Sequence, residues 1–344
     1  MRILVTGGCG FIGSHVVRHA LRRDDVCRVL NLDALTYSGH PANLVDVESE
    51  PRYRFVRGDI RDAGTVEGLL EEEKIGVLIH LAAESHVDRS IDSVAPFVST
   101  NVDGTRTLLE RVLARERAGQ RIAIVHVSTD EVYGSLAPRA PAFTEETPLD
   151  PRNPYAATKA ASDMLVRAFV NTHGLHAAIT RCSNNYGPNQ FPEKLIPLVI
   201  LNAVEGKPLP VYGDGLQIRD WIHVADHARG ILDAMDGLLD GRLATGEVVN
   251  FGADNERTNL EIVRMIVDLV GADPDLIVHV TDRPGHDRRY AMGYANAQAR
   301  LGWTPRVEWQ SGIRSTVDWY RTSMSWVESV RTGAYRDWIA KHYA

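Results

Sequence analysis

The decapeptide HVSTDEVYGS, residues 126–135, ends the apolar run IAIVHV on Thr129, Asp130 and Glu131, with Tyr133 just beyond. Adjacent carboxylates are expensive to bury unless they are protonated, hydrogen-bonded or put to use. They fit either an acidic turn that caps the next element or a paired acid and base whose surroundings hold their pKa values apart. A second constellation, NPYAATKAAS, sets Tyr155 and Lys159 four residues apart, on one face of a helix. By itself this spacing equally describes a packed tyrosine beside a solvated lysine. As chemistry it describes a base: an ammonium about 5 Å from a phenol, at an effective dielectric near 20, favours the phenolate by roughly 3 kcal/mol, or about 2 pK units. Tyr155 could then take a proton from a substrate hydroxyl while a hydride leaves for a cofactor.

A cofactor loop is written into the N-terminus. The strand RILVT feeds TGGCGFIGSH, where Gly8, Gly10 and Gly13 satisfy G-x-G-x-x-G and Gly7, Gly10 and Gly13 the looser G-x-x-G-x-x-G. Glycines there permit a tight turn and let a pyrophosphate approach the backbone at a helix N-terminus. A helical pattern follows, and Asp33, 20 residues past Gly13 at the end of the next strand, is placed to accept from a ribose hydroxyl. Its carboxylate repels a 2′-phosphate and DALTYSG offers no arginine, so the pattern favours NAD over NADP.

Elements that would hold these groups recur along the chain. The runs RILVT, RVLNL, YRFVR, VLIHLA, RIAIVHVS and HAAITR are nearly continuous in apolar residues, as strands covered on both faces are. Between them HVVRHALRR, AGTVEGLLEEE, GTRTLLERVLARE and ASDMLVRAFVNTH carry helical spacing. The alternation predicts an α/β fold with a doubly wound parallel sheet, Rossmann-like, over residues 1–182, with segments returning near 219–252. A smaller mixed α/β lobe is expected over 183–344, where Pro and Gly loosen the pattern. Ligands of such sheets bind beyond the carboxyl ends of the strands. The glycines, Asp33, Asp59, Glu84, Ser85 and the Thr129–Glu131 triplet all fall there.

Composition closes off other classes. The 344 residues, 44% hydrophobic and 24% charged, suit an ordinary soluble globular protein with a large core. A net charge of -7 and the lack of a basic run argue against nucleic acid. Three cysteines without Cys-x-x-Cys spacing suggest no disulfide framework, no zinc site and a reducing, cytoplasmic setting. With glycines after four residues and no apolar stretch near membrane length, neither a signal peptide nor a membrane span is expected.

Taken together, GGCGFIGSH, LDALTYSG, GDIRD, LAAESHVDRSI, STDEVYGS, PYAATKAASD, RCSNNYGPNQFPEKLIP, YGDGLQIRDWIHVADHARG and DRPGHDRRYA resemble the extended short-chain dehydrogenase/reductase family, and within it the dTDP-glucose 4,6-dehydratases. The Thr-Asp-Glu triplet is the specific part, since related epimerases carry small or hydroxyl residues at Asp130 and Glu131. The resemblance implies a lyase acting by an internal redox cycle. Tyr155 deprotonates the C4 hydroxyl of the hexose as hydride passes to NAD, with Thr129 and Lys159 assisting. Glu131 removes the C5 proton while Asp130 protonates the departing C6 hydroxyl. The hydride returns to C6, giving a 4-keto-6-deoxy sugar.

The resemblance also assigns a cofactor set: Gly7, Gly10, Phe11, Ile12, Gly13, Asp33, Ala34, Leu35, Thr36, Asp59, Ile60, Leu81, Ala82, Ala83, Ser85, Thr100, Tyr155, Lys159 and Asn185. The nucleotide-sugar substrate falls to Ser85, Thr129, Asn184, Lys194, Leu195, Pro210, Tyr212, Arg219, Asn259, Arg283 and His286. Ala34, Ser38 and His40 stand where the family carries Lys, Ala and Asn, near the cofactor. A homodimer built on helices around 100–117 and 155–172 is implied as well. Other functions remain open on the residues: another NDP-hexose 4,6-dehydratase acting on a UDP-sugar, since no residue type announces the nucleobase; an NAD-dependent nucleotide-sugar epimerase or decarboxylase; and a non-catalytic dinucleotide-sensing or scaffold protein. His223 and His227 stand four apart without a third ligand, so no metal is expected. EEEK at 71–74 is expected to be a solvated helix end, and Trp303, Trp309, Trp319 and Trp326 to pack the smaller lobe.

Overall fold

The computed structural model describes residues 1–282 and 285–331. Its centre is a seven-stranded, wholly parallel sheet of β1 (Arg2–Thr6), β2 (Arg28–Asp33), β3 (Tyr53–Arg57), β4 (Val77–His80), β5 (Ala123–Val127), β6 (Ala177–Cys182) and β10 (Val248–Phe251). The order is β10-β6-β5-β4-β1-β2-β3. The sequence reverses direction between β1 and β4, and there the strand ends splay into a crevice. Register pairs Leu4 with Leu30 and Leu78, so three leucines lie abreast on one face, buried among Val66, Leu69, Leu108 and Ile124. The opposite face buries Ile3, Val5, Val29 and Val125 under the helices Phe11–Leu21 and Val224–Asp240. Burial on both faces is what the continuous apolar runs required. The exception is β3, whose Arg54, Phe55 and Arg57 are exposed because it is the edge strand.

Beyond β6 the chain builds two small sheets. One joins β7 (Asn184–Tyr186), β9 (Ile218–His223) and β11 (Glu256–Thr258); the other pairs β8 (Leu209–Tyr212) with β12 (Ile277–Val280). Helices Leu195–Val204, Asn259–Val270, Trp309–Thr322 and Met324–Val330 enclose a second core containing Tyr186, Trp221, Trp309, Tyr320 and Trp326.

One expectation is corrected here. Trp303 packs in the main core, fully buried at 4.8 Å from the Phe251 ring, with its indole donating to the Asp226 carbonyl. EEEK does end its helix with Glu71, Glu72 and Lys74 exposed, while the half-buried Glu73 carboxylate gathers Arg2, Arg28 and Arg54 from three neighbouring strands. No helix of the described residues is long and apolar enough to cross a membrane.

Candidate active site

Local rules place each part of the site. After β1 the chain turns at Gly7, with φ +74°, a conformation that favours glycine. A Cβ on Gly7 would stand 2.7 Å from the Ala82 amide, and one on Gly13 would stand 2.1 Å from the Gly7 carbonyl. The helix Phe11–Leu21 starts from Gly10, has no side-chain cap and carries no acidic residue in its first turn. Such an N-terminus suits an anion. Asp33, at the end of β2, accepts from the amides of Cys9 at 2.9 Å and Leu35 at 2.8 Å. Burial raises its pKa while the two amides pull it back.

The helix Pro154–His173 carries the tyrosine and the lysine. Asn153 caps it, accepting from the Ala156 amide, Pro154 opens its first turn, and Gly174 closes it in the left-handed conformation. The Asn153 side chain also donates to the Glu131 carboxylate at 3.1 Å, so one residue starts this helix and orients the acid opposite it.

After β5, Asp130–Tyr133 form a single 3-10 turn, with the Thr129 hydroxyl accepting from the Glu131 amide at 3.3 Å. STDE is therefore a capped acidic turn, and the capping fixes where the carboxylates go. Asp130 is buried; its Oδ1 accepts from the Thr129 hydroxyl at 3.2 Å and its Oδ2 has no hydrogen-bond partner. Burial, then the neighbouring Glu131, raise the Asp130 pKa well above the usual carboxylate range, which favours its protonated form.

Lys159 is buried with its ammonium donating to the Val127 carbonyl at 2.8 Å, and burial lowers its pKa to about 8 against the opposing pull of Asp163. For Tyr155 the expectation of a lowered pKa is overturned. Burial and the Glu131 carboxylate raise the phenol well above its ordinary value, with the Thr129 hydroxyl pulling the other way. The closed site desolvates the phenol and sets an anion beside it, while the Lys159 ammonium is turned to the Val127 carbonyl.

All of these groups face one cleft of about 540 Å³, which lies across the strand ends and reaches into the smaller lobe. Its lining takes in every described residue of the predicted cofactor and substrate sets except Leu35, together with Asp130 and Glu131. Leu35 instead turns its side chain to the main core and offers only its amide, to Asp33. Asn185 reaches the cleft, but its side chain is held by His227, Ser183 and Cys182. Arg283 lies outside the described residues.

His223 caps the helix Val224–Asp240 and His227 pairs with Asn185 through Nδ1, leaving its Nε2 without a partner, and the described residues bring no group of three metal-ligating side chains together. Of the three departures, Ala34 and Ser38 line the cleft, whereas His40 stacks on Phe191 with centroids 5.8 Å apart. Sequence reasoning missed Glu193, buried in the cleft wall, with the Arg89 guanidinium 3.2 Å away. The only hint was its place beside Lys194.

Comparison with known proteins bears on this arrangement. The family model for GDP-mannose 4,6 dehydratase matches residues 4–316. The chain belongs to this family. It is 47% identical to the dTDP-glucose 4,6-dehydratase of Salmonella typhimurium, over 100% of this chain and 99% of that one. It superposes on the crystal structure of the Streptomyces venezuelae dTDP-glucose 4,6-dehydratase, solved with NAD and TYD bound, with a TM-score of 0.89 and 47% identity, covering 96% of this chain and 100% of that one. The Thermotoga maritima UDP-glucose 4-epimerase shares the family fold at a TM-score of 0.85 but only 29% identity, over 94% of this chain and all of that one.

Proposed function

We propose that the protein is an NAD-dependent hydro-lyase converting dTDP-glucose to dTDP-4-keto-6-deoxyglucose. The observation that carries this reading is the buried Asp130, one carboxyl oxygen without a hydrogen-bond partner, beside Glu131 in the cleft that also holds Tyr155 and Lys159. An epimerase needs one proton shuttle, whereas a dehydratase needs a separate acid for the leaving hydroxyl.

The residues fit NAD. The turn at Gly7 and Gly13 leaves a cradle that a Cβ would fill, the helix N-terminus behind it is uncapped, and the Asp33 carboxylate lines the same cleft. Bound NAD supplies the acceptor for hydride from C4, the donor to C6, and a positive ring that opposes the effect of Glu131 on the phenol. Tyr155 takes the proton of the C4 hydroxyl, with Thr129 and Lys159 stabilising the charge left on its oxygen. Glu131, oriented by Asn153, removes the C5 proton acidified by the new ketone and later returns one. Asp130 delivers its proton to the leaving C6 hydroxyl. Lys194, whose ammonium reaches the Ser85 carbonyl at 3.3 Å, together with Arg219, Tyr212, Asn184, Asn259 and His286, holds the sugar and nucleotide.

We assign the cofactor lobe to residues 1–182 with the helix Val224–Asp240, β10 and the return from Tyr294 through Trp303, and the substrate lobe, with β9 in its small sheet, to the remainder. A homodimer through the helices around 100–117 and 155–172 is supported by their packing against each other and by exposed apolar side chains at Met164 on the second and Val98 just before the first. The three free cysteines support a cytoplasmic setting.

Mass spectrometry of dTDP-glucose incubated with the protein in heavy water, without added NAD, tests the reading. Loss of water with one deuterium gained at C5 is expected. Change of configuration without loss of water would replace it with the epimerase.

A further inference from the structure

Behind the cleft lies a charged cluster that the proposed chemistry leaves unused. Asp163 stands one helical turn beyond Lys159 and is fully buried. Its Oδ2 accepts from Arg181 Nε at 3.0 Å and Nη2 at 2.9 Å, and its Oδ1 lies 3.3 Å from His126 Nε2. Arg181, on β6, donates from Nη1 to the Tyr133 hydroxyl at 2.8 Å, and that hydroxyl donates to Asn250 at 2.9 Å. Asp163, Arg181 and His126 do not line the cleft.

A buried ion pair is seldom a gain in stability over apolar residues of the same volume, so this one calls for another role. The charge around Lys159 supplies it. One turn along its own helix stands Asp163, and around it lie Cys182 from β6, His126 from β5 and His80 from β4; Arg181 pairs with Asp163, and Tyr155, Asp130 and Glu131 line the same cleft as Lys159. Burial keeps His80 and His126 neutral and raises the Cys182 thiol, so all three are uncharged. Burial and Glu131 favour the neutral form of Asp130, and Glu131 accepts from Asn153. Asp163 is the carboxylate one turn from Lys159 on its own helix, and two buried cations, Lys159 and Arg181, share it.

We propose that Asp163 is a positioning residue whose carboxylate keeps Lys159 an ammonium ion, while Arg181 fixes that carboxylate in place and competes for its charge. Its effect on turnover rests on the dehydratase reading; its effect on Lys159 does not.

The chain has five lysines, so lysine labelled with ¹³C at Cε gives a resolvable titration of the full-length protein, with Lys159 identified by its loss in Lys159→Arg. Asp163→Asn should lower the Lys159 midpoint by about 1 pH unit or more, the shift expected on losing an adjacent opposite charge. Arg181→Gln should raise it. The high-pH limb of kcat should move with each midpoint while KM stays constant, a pattern that mere loosening of the fold does not produce. Shifts of the same sign, or an unmoved Lys159, overturn the proposal. Should Asp163→Asn not fold, Arg181→Gln decides alone: a raised midpoint supports the proposal and an unchanged one refutes it. A wild-type protein that forms no 4-keto-6-deoxy sugar would remove the dehydratase reading and leave the titration to judge Asp163.

Discussion

Asp33 and Asp130 are two buried aspartates, one ending β2 and the other following β5, on either side of the crevice between β1 and β4 and facing one cleft, yet they are built for opposite ends. Asp33 has an amide on each oxygen, and these favour its charged form. Asp130 has one hydroxyl contact, an unpartnered oxygen and an acidic neighbour, which together favour the neutral form. The difference lies in where backbone N–H groups point, not in the side chain. The same residue type becomes an anchor where a glycine turn supplies donors and an acid where a capped turn supplies none.

The largest expected effect separates the two in turnover. Asp130→Asn and Glu131→Gln should each lower kcat by roughly 10²- to 10⁴-fold, the range of a lost general acid or base. Deuterium at C5 tells them apart: Asp130→Asn should still exchange it after oxidation at C4, and Glu131→Gln should not. Near-normal turnover in Asp130→Asn would end its role as the acid.

Stability should then divide the two aspartates in the opposite sense. The folded pKa of Asp130 is raised, so above the ordinary carboxylate range near pH 4 the native state holds a proton that the unfolded chain has released, and stability declines as pH rises. Asp130→Asn removes that decline and should melt higher than wild type at pH 7 to 8. Asp33→Asn can accept from only one of the two amides and should lose about 1 to 3 kcal/mol. Thermal unfolding of both variants at several pH values checks the pair, and a destabilised Asp130→Asn would contradict the assignment.

The smallest effect is expected at the outer rim of the cofactor side, where Arg61 pairs with Asp59 at 2.6 Å with both side chains partly exposed. Arg61→Ala should cost less than about 1 kcal/mol of stability, shrinking further at high salt. A larger loss would mean that the rim is more enclosed than its exposure indicates.

The Gly7–Gly13 turn, Asp33 and the Tyr155–Lys159 face were legible in the sequence because each is a local rule: a φ that favours glycine, a strand end, a helical period. The carboxylates were legible as a question, since only the Asn153 cap and the unpartnered Asp130 oxygen decide what they do. The raised Tyr155 phenol was not legible, because desolvation and the position of Glu131 depend on packing between distant segments. Leu35 was misplaced for a related reason: its neighbours line the cleft, but a positive φ of 55° turns its own side chain inward. Trp303 follows the substrate lobe in sequence yet belongs to the other core, because no local pattern marks a chain that returns.

That return governs how the protein can be made. The last strand of the large sheet, β10, pairs beside β6 only after three small-sheet strands and two helices have intervened. During synthesis from the N-terminus, β6 must wait with one open edge until residue 251 has emerged, and the pocket around Phe251 stays unfilled until Trp303 follows. A ribosome-bound chain ending at residue 182 should therefore be the most aggregation-prone length, and separating the lobes at that point should yield two fragments that need each other to fold.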